Sequence, residues 1–167
     1  MQPGCGNYVY LESKIKELSK NPDHPEPVPP LPLVAERVTG QTYIMDPNPL
    51  GLQSVSLNFL VETEVQIRMI NSLNEPQVDP AGSQKINDVE WNIGLDNIYR
   101  FEPGPYDIPM GLKGWWESEE TFVIYVDYID DTRQDRILLT FQGDQITIQM
   151  ITEGEGELAS FKGRLDG

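Results

Sequence analysis

The sequence predicts an all-β fold: an antiparallel barrel of about eight strands, preceded by one short helix and a proline-rich linker. Three observations carry this. Short runs alternate apolar and polar residues from Thr42 to Leu165, the period of a strand with one buried face. Turn signals punctuate them at close spacing, as in Gln142-Gly143-Asp144-Gln145. No long helical period separates the runs, so crossover helices and a parallel sheet are not expected. A sandwich is the second architecture this spacing allows.

The elements follow in order. Tyr8–Lys20 has Tyr8, Leu11, Ile15 and Leu18 on one helical face, with Glu12 and Lys16 as an i,i+4 pair. At this length the helix is marginal alone, so its stripe needs a partner. Pro22–Pro32 holds six prolines in eleven residues, a stiff extended connector. Residues 1–38 are therefore expected to form a helix and linker, mechanically separate from a barrel at 39–167. Val55, Leu57 and Phe59 alternate with polar neighbours, as do Val65, Ile67 and Met69, and Val61-Glu62-Thr63-Glu64 joins them as a hairpin. Further strands are predicted at Val89–Ile93, Ile98–Phe101, Gly114–Glu117, Phe122–Ile129, Arg136–Phe141, Gln145–Thr152 and Leu158–Leu165. Asp130-Asp131 and Gly154-Glu155-Gly156 mark turns, and Asn74–Asn87 is the longest irregular stretch.

Composition excludes several functions. The chain has 167 residues, with 12 Lys and Arg against 27 Asp and Glu, a net charge of −15. Such a surface repels phosphate backbones and anionic lipid, which argues against nucleic acid and membrane surfaces as partners. No secretory signal pattern and no long apolar run is present, so no membrane insertion is expected. Cys5 is the only cysteine, which rules out intramolecular disulfides and cysteine-clustered zinc. Pro3-Gly4-Cys5 is no lipobox, because no apolar stretch precedes it.

No set of residues reads as catalytic, cofactor-binding or metal-ligating. Ser13-Lys14-Ile15-Lys16 matches the Ser-x-x-Lys nucleophile pattern, but no Tyr-x-Asn or Lys-Thr-Gly companion exists. His24, the single histidine, lies between prolines, where a linker cannot preorganise a triad. Glu117, Glu119 and Glu120, and then Asp127, Asp130, Asp131 and Asp135, form acidic runs without EF-hand spacing. A glycosidase-type carboxylate pair stays open, since separation decides it. Trp115 and Trp116 face opposite ways if they lie in a strand. One then belongs to the core, and the other to an interface or a ligand platform; Trp91 poses the same choice.

Thr39-Gly40-Gln41-Thr42-Tyr43 leading to Asn48-Pro49-Leu50-Gly51, then Trp91–Arg100, then Leu112-Lys113-Gly114-Trp115-Trp116 with Thr121-Phe122, follow Pro29–Pro32 in order. Together they resemble the C-terminal β-domain of bacterial serine hydrolases related to β-lactamases and penicillin-binding proteins. The resemblance covers about Tyr8 to Leu165. It implies a non-catalytic, lipocalin-like accessory domain that docks on the catalytic domain of a parent hydrolase or forms an oligomer contact. It transfers no site residue, because that family's chemistry lies in the preceding domain. The alternative is a stand-alone barrel binding a small apolar ligand.

Overall fold

The computed structural model describes residues 25–72, 86–104, 109–129 and 133–167. The predicted helix at Tyr8–Lys20, Ser13, His24, Cys5, and the turn at Asp130-Asp131 lie outside these residues, as does 74–85 of the predicted irregular stretch. Within them stand one short helix, α1 (Leu33–Val38), and ten strands. The strands are β1 (Thr42–Met45), β2 (Leu52–Val61), β3 (Glu64–Ser72), β4 (Ile86–Gly94) and β5 (Arg100–Pro103). β6 (Pro109–Trp116), β7 (Thr121–Tyr128), β8 (Gln134–Gln142), β9 (Gln145–Thr152) and β10 (Gly156–Leu165) complete the set.

The sheet runs β4-β3-β2-β1-β10-β9-β8-β7-β6-β5, antiparallel at each step, and a β4–β6 pairing closes it into a nine-stranded barrel. That closing contact is parallel, through Gly94 and Lys113, so the barrel is mixed and has nine strands rather than about eight, all antiparallel. The reason is β5. It pairs with the first half of β6, from Arg100–Leu112 to Pro103–Pro109, and reverses the chain so that β6 runs the same way as β4. Four residues are too few to fill the seam, and β4 bonds to β6 beyond the end of β5. Alongside, the Glu102 carboxylate accepts bonds from the backbone N–H and side-chain amide of Asn92, both at 2.9 Å.

Several expected elements stand where the alternation placed them. The β2–β3 hairpin turns at Glu62-Thr63, and β9 covers Gln145–Thr152. Between β8 and β9 the turn needs a left-handed residue, and Gly143 supplies φ +60°. β1 and α1 were not distinguished in the sequence. α1 begins immediately after Pro32, which is extended, and its Val34, Ala35 and Val38 are buried. Residues grouped with the linker therefore contribute to the core. Thr39 continues from the helix into a bridge with Leu57.

Inward side chains form one apolar core. Tyr43, Leu57, Ile67, Ile93, Leu112, Phe122, Ile124, Leu139, Phe141 and Ile146 are each about fully buried. Strand direction divides the barrel into two ends. At one end meet the β2–β3 turn, Gly94, Trp116, Thr121, the β8–β9 turn and Leu165, together with α1. At the other, the mouth, meet Leu52, Ser72, Ile86, Pro109, Tyr128, Gln134 and Thr152.

Candidate functional site

The helix-bearing end is filled by aromatic rings. Trp116 lies 5.3 Å from Phe122, 5.7 Å from Phe59 and 6.0 Å from Phe141 between ring centroids, and Phe59 meets Phe122 edge-on. Gly114 makes room: a Cβ there would meet the Phe122 ring at 2.6 Å. The Trp116 indole N–H is buried and has no acceptor among the described residues. Trp115, one position away, points outward and is 40 % exposed.

Over this end runs the C-terminal half of the proline segment. It is fastened at its start. The Glu26 N–H donates to the Asp96 carbonyl at 3.0 Å, and the Asn97 amide donates to the Glu26 carboxylate at 3.0 Å. Val28 packs against the core. Between this strap and the end of β6 lies an open groove of about 760 Å³ lined by Pro29–Leu33, Trp115 and Glu119 among others. Leu33 is 80 % exposed and Leu31 is exposed at its edge.

The strap is held by the corner at Leu95–Tyr99, which connects β4 to β5. Gly94 is obligatory, because any Cβ would collide with the Ile98 carbonyl oxygen. Asn97 adopts φ 63°, a left-handed geometry that asparagine tolerates. Buried Asp96 receives two bonds from Arg100, at 3.1 and 3.2 Å, and Arg100 also donates to Glu64 at 2.6 Å. Although burial opposes it, bonding to Asp96 and Glu64 holds the Arg100 guanidinium above its ordinary pKa. Lys113 donates to Asn97 at 3.0 Å and lies over Tyr99, 4.8 Å from the ring centre.

The mouth end differs. Below it is a cavity of about 280 Å³ walled by Val55, Ile67, Met69, Trp91, Ile124 and Met150 with further apolar residues. One strand layer above Ile137 and Met150, inward-facing Asp135 is 1 % exposed. Arg133 grips it with two bonds at 2.7 and 3.0 Å, Thr152 donates at 2.6 Å and Tyr128 at 3.3 Å. Burial first, and the Asp135 charge second, raise the Tyr128 pKa.

The acidic runs are thus dispersed. Asp135 is inside and paired, whereas Asp127 faces outward from β7, so the two do not face each other as a carboxylate pair. Glu117, Glu119 and Glu120 are exposed in the β6–β7 turn. Among the described residues no three His, Cys, Asp or Glu come together in a way that could hold a metal. No helix there is long and apolar enough to cross a membrane. Of the tryptophan pair, Trp116 is the member packed against the core, partly buried, and Trp91 lines the cavity. Neither the strap anchor nor the cavity was located in the sequence. The run Val65, Ile67, Met69 did carry the inward face of β3, but Phe122–Ile129 is apolar on both sides and left the wall opposite undefined.

No protein-family model matches the chain, and no curated protein matches it significantly.

Proposed function

We propose that this chain is a non-catalytic, lipocalin-like accessory domain that docks against the catalytic domain of a serine hydrolase related to β-lactamases and penicillin-binding proteins. The strap carries this reading. A proline-rich segment fastened through Glu26 and Val28 is a rigid mount on the aromatic-filled end, not a loose tether. Beside it, Leu31, Leu33 and Trp115 expose apolar surface around an open groove, the composition of an interface centre. The ordered resemblance of Thr39–Gly51, Trp91–Arg100 and Leu112–Phe122 supports a serine hydrolase as the partner. The strongly bonded polar groups support structural roles: Asp96, Arg100, Asp135 and Arg133 bond one another or the backbone, leaving no poised acid–base pair among them.

The test is to tag the protein in the cells that make it and treat the purified material with a fluorescent fluorophosphonate and a fluorescent penicillin. A labelled serine hydrolase is expected, either in the same polypeptide or tightly co-purifying. If it is a separate chain, Leu33→Asp with Trp115→Asp should release it. Material that carries and retains no serine-reactive species would overturn the reading.

A further inference from the structure

From the mouth-end cavity we infer a binding site for a small, uncharged amphiphile: an apolar body of about eight to ten carbons with one neutral polar head. Protein interiors pack as densely as organic crystals, and voids larger than a water are few. A pocket of about 280 Å³ that opens at the mouth of a barrel whose other end is filled with rings departs from that density. Its size lies near the lower bound of ligand pockets, about 300 Å³. An apolar cavity of about 150 Å³ stays dry and takes benzene, so this one has room for roughly twice that body. Apolar walls make water a poor occupant. Met69 and Met150 give part of the wall a deformable surface suited to differing shapes.

The head group follows from the polar chemistry of the lining. Among the described residues Asn71 is its one amide, and no hydroxyl or charged side chain joins it. An amide both donates and accepts, which suits an alcohol, ketone or amide head. An anionic head would meet no cation among the described residues of the wall, and a protein of net charge −15. The neighbouring Arg133 is committed to Asp135 by two bonds. An ammonium head fares no better, because that carboxylate is already neutralised and burying an unpaired charge is unfavourable.

This site lies at the opposite end from the strap, so its test is independent of the docking reading. The intact protein is titrated at pH 8 with 1-octanol, octanoate and octylammonium by calorimetry. Saturable one-to-one binding of octanol is expected, with both ions at least tenfold weaker. Octanol should shift the ε-methyl resonances of Met69 and Met150 and leave that of Met45, outside the cavity lining, unmoved. Val55→Trp fills the cavity and should abolish binding; Asn71→Leu should weaken octanol about tenfold. Absence of saturable octanol binding, an octanoate preference, or shifts that spare Met69 and Met150 would overturn the inference. The methyl shifts decide it even if Val55→Trp fails to fold.

Discussion

At the residue scale, one tryptophan pair shows how a strand separates two identical side chains. Trp115 and Trp116 are adjacent in β6, opposite Val123 and Phe122, so alternation sends them to different faces. Trp116 joins Phe59, Phe122 and Phe141, while Trp115 borders the strap groove. Trp116 is partly buried against the core, so Trp116→Ala should lower stability by about 2–4 kcal/mol, somewhat less than a fully buried truncation. Trp115→Ala should change it by under about 1 kcal/mol, the range of surface substitutions. Urea denaturation of both variants measures the difference, and equal losses would place both rings in the core. This asymmetry was legible from two letters of sequence. Which of the two was internal was not, because that depends on the registers of β6 against β7 and of β2 beside them.

At the element scale, the decisive piece is the stretch from Trp91 to Arg100, which ends β4, turns the corner and begins β5. Its residues have packing or bonding reasons: Trp91 and Ile93 face inward, Gly94 admits the Ile98 carbonyl, and Asp96 holds Arg100. Arg100→Ala would leave Asp96 buried without its partner. Since Arg100 is 20 % exposed, the loss should be about 2–4 kcal/mol, somewhat below that for a fully buried pair. Replacing both, Arg100→Met with Asp96→Leu, should recover much of it. Chemical denaturation of the single and double variants checks this; a double variant as unstable as the single would show that the corner depends on the charges themselves. Alternating runs made β2, β3 and β8–β10 readable, and β7 showed as a run of β-branched and aromatic residues. β5 was readable only in part: the strand expected at Ile98–Phe101 stands two residues later, at Arg100–Pro103, and the parallel seam it permits has no period to detect.

At the scale of the whole molecule, the open issue is where folding cooperativity begins along the chain. Composition separates the proline segment from the strands sharply, and on that basis residues 1–38 look removable. Packing places a different limit. Val34, Ala35 and Val38 are buried, Val28 rests on the core, and Glu26 is bonded to the corner that closes the barrel. A proline run reads as a linker whether it spans solvent or lies on a surface, since neither its fixed φ nor its missing donors report contacts. Two shortened chains separate these cases. A chain beginning at Pro25 keeps all of these contacts and is the reference for the melt. One beginning at Thr39 loses the strap and α1, about 3–5 kcal/mol of apolar burial, and should melt about 10–20 °C lower. Calorimetric melts of the two chains would show it. Equal melting of both shortened chains would mean that α1 and the strap ride on a barrel complete without them.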